Sequence, residues 1–123
     1  MQVNLHNSSG NQFTHYTEKS VTINNQEFTE NILVTQHDIV NNITYKNIHD
    51  ITLEEITKIV TGYQPDIIIF GTGKQIQMPN LDILHLLQKN QIGFEVMPIA
   101  ALCRTFNYLI GEGRNVMGII LFS

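Results

Sequence analysis

The residues best suited to chemistry follow a short apolar run in the second half of the chain. Gly71-Thr72-Gly73-Lys74 comes directly after residues 66–70, a run typical of a strand that is covered on both faces. Glycines let a backbone approach a ligand closely, and free N–H groups before a helix attract anions. The motif lacks the third glycine of GxGxxG and does not fit GxxxxGKS/T. It therefore predicts either a structural turn or a loop that binds an anion or small ligand.

A second candidate is the single cysteine of the chain, Cys103. Arg104 beside it would favour the thiolate, which is the nucleophilic form. The helical spacing, however, places Cys103 on an apolar stripe, where a cysteine packs as a small hydrophobic side chain. We therefore expect a core or partly buried cysteine. A nucleophile would require a tertiary contact with one of the five histidines.

The remaining candidates are charged and amide side chains near the C-terminal end. Arg104 and Asn107 lie three residues apart on the predicted polar side of one helix. Glu112 and Arg114 flank Gly113 in a tight return to the last strand. In a chain with only 15% charged residues, these side chains predict either a site for an anion or protein partner, or an ion pair that fixes the turn. The histidines show no metal-ligand spacing, so we expect no metal ion and no cofactor.

Length and composition exclude several classes of protein. The 123 residues predict one domain, 1–123, with a core drawn from the 42% of residues that are apolar. A net charge of −4 argues against unspecific binding to nucleic acid or to an anionic membrane surface. No apolar run approaches the roughly 20 residues of a membrane span, and no signal-peptide pattern is present. One cysteine suits a reducing compartment, so we expect a cytoplasmic protein.

Residues 1–50 are predicted to be mainly β structure. Asn24-Asn25 separates two extended runs, and asparagine tolerates the positive φ that a two-residue hairpin turn requires. The predicted strands are 13–23, 28–35 and, within an irregular connection, 43–45.

Residues 51–123 are predicted to alternate helix and strand. Thr52 and Glu55 fit a capping box at a helix start, and Gly62 is the expected stop. The predicted buried stripe of this helix is Leu53, Ile56 and Val60. The later elements are predicted as a strand at 66–70, a helix at 81–89 capped by Asn80, a strand at 93–97, a helix from Pro98 to about 110, and a strand at 116–122. This order implies a parallel β-α-β-α-β unit, whose ligands usually bind at the carboxyl ends of the strands.

Several of these segments, in this order and spacing, resemble one family of small α/β proteins. They are residues 65–73, 93–97, 100–109 and 112–114. The family is poorly characterised and includes mitochondrial complex I (NADH:ubiquinone oxidoreductase) assembly factor three and the adipogenesis-associated domain protein. This chain looks like a bacterial member, although Phe106 stands where bacterial members usually carry tyrosine. The resemblance implies a mixed central sheet flanked by helices and supplies no catalytic residues.

The resemblance, together with the lack of a complete catalytic constellation, predicts a non-catalytic accessory or assembly protein. Its expected partners are respiratory complex I subunits or assembly factors, and Glu112 and Arg114 are the expected contact residues. The alternative is an enzyme or binding protein for an anion, carboxylate or phosphate at the carboxyl edge of the sheet. That site would contain Gly71, Thr72, Gly73, Met97, Cys103, Arg104 and Asn107. A homo-oligomer with a structural role is the third hypothesis.

Overall fold

The computed structural model describes residues 10–122, which form two β-sheets and three α-helices. The strands are β1 (Phe13–Tyr16), β2 (Val21–Ile23), β3 (Gln26–Phe28), β4 (Ile32–Val34), β5 (Ile39–Val40), β6 (Ile67–Thr72), β7 (Gly93–Pro98) and β8 (Val116–Ile120). The helices are α1 (Leu53–Tyr63), α2 (Leu81–Lys89) and α3 (Ile99–Gly111), and a 3-10 turn covers Ile48–Asp50. The mixed sheet with flanking helices that the sequence predicts is confirmed.

The larger sheet has the strand order β5-β4-β8-β6-β7. β6 is parallel to both β7 and β8, whereas β4 is antiparallel to β8. β8 is buried along its whole length and β6 nearly so, because helices or further strands cover both faces of the sheet. The carboxyl ends of β6, β7 and β8 meet at one side of this sheet, which we call the carboxyl edge.

The helices cover the larger sheet from two sides. α1 and α2 pack on one face, around a core cluster that includes Ile56, Ile83 and Phe70. α3 packs on the other face and is itself covered by the smaller antiparallel sheet, whose strand order is β1-β2-β3. One core cluster therefore contains residues of α3 and of both sheets, while the side of α3 that carries Arg104 and Tyr108 is exposed.

The N-terminal half differs in part from the prediction. Asn24 and Asn25 have φ angles of 52° and 71°, which confirms the two-residue hairpin between β2 and β3. The predicted single strand 28–35 is wrong, because the chain leaves the smaller sheet after Phe28 and enters the larger one at Ile32. The predicted strand at 43–45 is also wrong, because β4 pairs with Ile39–Val40 instead.

The start of α1 follows the prediction more closely than its end does. The Glu55 backbone N–H donates to Thr52 Oγ1 at 3.1 Å, and the Thr52 N–H donates to Glu55 Oε1 at 2.8 Å. The helix then continues past Gly62 to Tyr63, and Gln64 caps its end with a left-handed φ of 49°. The predicted buried stripe is wrong at Leu53, which is 40% exposed.

α3 approaches the larger sheet most closely at two glycines, Gly71 on β6 and Gly118 on β8. A Cβ atom added to Gly71 would lie 2.8 Å from Leu102 Cδ1, and one added to Gly118 would lie 3.3 Å from Leu102 Cδ2. Each methyl group of the fully buried Leu102 therefore rests against a different glycine. Because of this, the leucine cannot turn away from one strand without moving toward the other.

We expect Gly71→Ala to lower the free energy of unfolding by about 1–3 kcal/mol, because the added methyl group overpacks the core against Leu102. Gly62→Ala is the matched control, since nothing lies within 4 Å of a Cβ at that position. The control should raise stability by about 0.5–1 kcal/mol, because alanine favours a helix over glycine. Urea unfolding followed by circular dichroism measures both changes. Equal effects would contradict the close approach at Gly71.

Candidate functional site

The carboxyl edge brings part of the predicted site together. The register of the parallel strands pairs Gly71 with Met97 and Thr72 with Pro98. The chain after β8 reaches the same place, where the Leu121 N–H donates to the Gly71 carbonyl oxygen at 2.8 Å. Gly71, Thr72 and Met97 are therefore neighbours, and Gly73 directly follows them in the chain.

Thr72 supplies the most unusual polar group at this edge. Its side chain is 3% exposed, and its Oγ1 has no hydrogen-bond partner among residues 10–122. Alternation along β6 places Thr72 on the same face as Ile68 and Phe70, which is the face that α1 and α2 cover. Nearly all buried polar groups in proteins are hydrogen-bonded, so this hydroxyl is a group that a ligand would satisfy.

The start of α2 lies on the same side of the sheet. Asn80 holds the N-cap position, but its side chain makes no cap bond, so its predicted capping role is wrong. The Asn80 amide instead bonds to His49: Nδ2 donates to the His49 carbonyl oxygen at 3.1 Å, and Oδ1 lies 3.2 Å from His49 Nδ1. These contacts join the segments that precede α1 and α2.

Cys103 is fully buried in the core cluster around α3, which confirms the expected core position. Burial raises the pKa of the thiol from 9.0 to about 12, and the charge of Arg104 opposes this only in part. The thiol is therefore protonated at neutral pH, whereas a nucleophilic cysteine needs a stabilised thiolate. In this state Cys103 acts as a packing residue.

Asn107 uses its amide group to hold the smaller sheet on α3. Its Oδ1 accepts from the Phe13 N–H at 2.9 Å, and its Nδ2 donates to the Phe13 carbonyl oxygen at 2.8 Å. The ring of Phe13 also contacts Phe106 edge-on, with 5.2 Å between ring centroids. Phe106 therefore packs against β1 with its ring fully buried. Asn107 lies about 12 Å along the helix from Ile99, away from the carboxyl edge.

The other predicted residues on and after α3 are exposed. Arg104 lies on the outer surface of α3, and Glu112 and Arg114 lie beyond its C-terminal end. Backbone bonds close the turn at that end, because Gly113 has a φ of 78° and the Arg114 N–H donates to the Leu109 carbonyl oxygen at 3.0 Å. Since α3 runs antiparallel to β6, Glu112 and Arg114 lie about 20 Å from the carboxyl edge. The two predicted sites are thus at opposite ends of the sheet.

An exposed apolar surface at the carboxyl edge was not predicted from the sequence. Leu53 and Leu81 begin α1 and α2, and their side chains are 40% and 66% exposed. In the loop before α2, Ile76 and Met78 are 52% and 48% exposed. Because both helices run antiparallel to β6, their first residues lie at the carboxyl edge. We call Leu53, Ile76, Met78 and Leu81 the apical patch.

Two searches of the described residues give negative results. Within residues 10–122, no group of three or more His, Cys, Asp or Glu side chains is placed to hold a metal ion. In the same part of the chain, no helix has the length and hydropathy needed to cross a bilayer.

Comparison with known families identifies the fold family of the chain. The model of a family described as "Protein of unknown function (DUF498/DUF598)" matches residues 13–121. The chain belongs to this family. A solved structure from Xanthomonas campestris has the same fold, with a TM-score of 0.84 and 24% sequence identity, covering 99% of this chain and 92% of that one.

Two curated proteins resemble about half of the chain. The "13 kDa major membrane protein" of Francisella tularensis subsp. holarctica (strain LVS) is 33% identical over 63 residues, which are 51% of each chain. The "NADH dehydrogenase [ubiquinone] 1 alpha subcomplex assembly factor 3" of Xenopus tropicalis is 30% identical over 66 residues, or 53% of this chain and 36% of that protein. The resemblance expected from the sequence is therefore confirmed, although the matches span only about half and a third of these relatives.

The raised pKa of Cys103 predicts a loss of stability at alkaline pH. The folded state keeps the thiol protonated, so its contribution is complete below pH 9 and is lost as pH rises toward 12. Between pH 8 and 10 we expect the wild type to lose about 1 kcal/mol more unfolding free energy than Cys103→Ala. Urea titrations at each pH measure this. Equal losses, or rapid reaction of the native thiol with Ellman's reagent, would contradict the buried state.

Proposed function

We propose that this family member is a non-catalytic accessory protein that acts through protein–protein contacts in the assembly of respiratory complex I. The likeness to the Xenopus assembly factor supports a role in complex I assembly. The apical patch is the main observation in favour of a role in protein binding. The candidate residues also favour binding over catalysis, because the Cys103 thiol is protonated and the Asn107 amide is engaged with Phe13.

The apical patch has the composition of a contact surface. Four large apolar side chains gathered at one end of a small protein favour a partner that covers them. Exposed acidic residues lie close to the patch residues in the sequence, namely Asp50, Glu54 and Asp82, and Lys74 is the one basic residue of the loop before α2. We infer a partner surface with apolar side chains at its centre and lysine or arginine at its rim. Glu112 and Arg114 are proposed as a second contact at the opposite end.

We also propose that the protein acts in the cytoplasm. Cys103 is a free, buried thiol, and a single unpaired cysteine suits a reducing compartment. Because the Francisella relative is named a membrane protein, the amounts of this protein in the cytoplasmic and membrane fractions should be compared. Association with a membrane-bound complex through the apical patch would place part of the protein in that fraction and release it with detergent.

A native pull-down from the source cells tests the binding role. We expect the tagged wild type to enrich respiratory complex I subunits or assembly intermediates, and Met78→Ser combined with Leu81→Ser to reduce this at least tenfold. Tyr108→Ser is the matched control, because Tyr108 is 67% exposed and lies near the other end of α3. Circular dichroism should show all variants folded. Retention of the subunits by the patch variant, or no enrichment by the wild type, would contradict the proposal.

A second candidate function rests on the unpartnered hydroxyl of Thr72. We propose that a phosphate or carboxylate binds at the carboxyl edge beside Thr72, where Gly73 and Lys74 follow in the chain and Lys74 supplies positive charge. Gly71 and Met97 are neighbours of Thr72 in the strand register, whereas Arg104 of the predicted site lies on the α3 side of the sheet. This alternative includes an enzyme that acts on such a ligand.

A thermal-shift screen with nucleotides, inorganic phosphate and carboxylates tests this second function. A bound ligand at 100 times its Kd stabilises the native state by about 2.7 kcal/mol, which is readily detected. We expect Thr72→Val and Lys74→Ala each to abolish the shift. Arg104→Ala and Arg114→Ala should preserve it, because Arg104 lies on the α3 side of the sheet and Arg114 at the opposite end. Flat responses at millimolar ligand would reject the site.

A further inference from the structure

A groove of about 400 Å³ lies between α1 and the segment that follows β5. Its lining is largely apolar and comes from Leu33, Val40, Ile43, Ile59 and Tyr63. The volume is within the range of small-molecule sites, which are typically apolar with a few polar groups that orient the ligand. The groove is separate from the apical patch and from the glycine loop at the carboxyl edge, and its occupant is independent of the functions proposed above.

Tyr45 provides the distinctive polar group of this groove. The residue lines the groove and is 7% exposed, yet its hydroxyl oxygen has no hydrogen-bond partner among the described residues. The nearby Glu55 makes no hydrogen bond to this hydroxyl; its Oε1 instead accepts from the Thr52 N–H and Oγ1. A buried hydroxyl without a partner is uncommon, and a ligand acceptor would satisfy it.

The protonation state of Tyr45 makes it a donor. Burial, and to a smaller extent the charge of Glu55, raise the pKa of Tyr45 to about 12. The hydroxyl therefore keeps its proton at neutral pH. Glu55, in the first turn of α1, lines the same groove as Tyr45.

The charges at the groove favour a neutral ligand. Glu55 and Lys58 both line it, one acidic and one basic, so they give no net preference for an anion or a cation. The remaining lining is largely apolar, and a charged ligand would lose hydration there without a matched partner.

The wall that carries Tyr45 contains no strand pair; core packing of Tyr45 and hydrogen bonds hold it, among them the Lys46 N–H to Asp50 Oδ2 at 3.4 Å. Residues 41–46 form neither helix nor strand, and Asn31 holds them by donating from Nδ2 to the carbonyl oxygens of Tyr45 and Lys46 at 3.2 and 3.0 Å. A second groove lies on the other side of the same segment. A ligand reaches the buried Tyr45 hydroxyl only if this segment shifts, and such a shift would break no strand pair.

We propose that this groove binds a small neutral molecule with an apolar body and a carbonyl oxygen that accepts a hydrogen bond from Tyr45. The apolar residues of α1 and β5 hold the body of the ligand. The Tyr45 hydroxyl selects the carbonyl group over a hydrocarbon of the same shape.

Titration of the ¹⁵N-labelled full-length protein with acetophenone, ethylbenzene and benzoate, followed by amide chemical shifts, tests this inference. We expect shifts centred on Val40, Ile43 and Ile59, and a Kd for acetophenone about threefold to tenfold lower than for ethylbenzene, as one neutral hydrogen bond provides. Tyr45→Phe should remove this preference and keep ethylbenzene binding. Tyr63→Phe is the matched control and should retain the preference, because Tyr63 lines the same groove.

Three results would overturn the proposal: no shifts at the groove with 1 mM of each probe, equal affinity of the wild type for ketone and hydrocarbon, or tighter binding of benzoate than of acetophenone. The urea midpoint of Tyr45→Phe provides a check that needs no ligand. An unpartnered hydroxyl predicts an unchanged or higher midpoint, whereas a clear drop would show that the hydroxyl is already bonded in the folded protein.

Discussion

The packing of α3 against two glycines determines how the rest of the molecule is arranged. Leu102 fits between β6 and β8 because Gly71 and Gly118 have no side chains there. This contact brings α3 close to the larger sheet. Phe106, one turn after Leu102, lies against both Gly118 and Phe13, and Asn107 bonds to Phe13, so one helix joins the two sheets.

In this arrangement, several residues that the sequence suggests for catalysis or ligand binding have structural roles. Gly71 resembles part of a phosphate loop, yet its lack of a side chain is required by Leu102. Cys103 is next to an arginine, yet it packs inside the cluster around α3. Asn107 has the functional groups of a ligand-binding residue, yet both are used on Phe13. Within residues 10–122, the buried side-chain polar atoms without a hydrogen-bond partner are instead the hydroxyls of Thr72 and Tyr45, on the opposite face of the sheet.

Local signals made most of the C-terminal half predictable. The strands β6 and β8 are nearly continuous apolar runs, and the start of α1 depends on Thr52 and Glu55, which are three residues apart. The crossing between sheets at residues 29–31 was not predictable, since it depends on which strand β4 pairs with. The neighbouring positions of Gly71 and Met97 follow from parallel strand order. In contrast, the bonds of Asn107 link residues 94 positions apart, which no local pattern reveals.

The apical patch could not be predicted either, because local sequence patterns do not reveal tertiary contacts. Leu53 fits the amphipathic stripe of α1 by its spacing, but spacing does not show where a helix extends past its partner. Among the described residues, four of the five exposed large apolar side chains, all except Tyr108, therefore lie at the carboxyl edge, and the charged turn with Glu112 and Arg114 lies at the other end. Because the apical patch and the charged turn lie at opposite ends of the sheet, the carboxyl edge is the proposed surface for partner binding.

The most direct test of that account is photo-crosslinking in the source cells, with a photoreactive amino acid placed at Met78 or, for comparison, at Tyr108. Both positions are about half exposed or more, so the two probes have similar access to solvent and differ in the end of the molecule that they report. The account predicts discrete adducts with respiratory complex I subunits or assembly factors from Met78 and few from Tyr108. Equal adducts from both positions, or none from Met78, would contradict it.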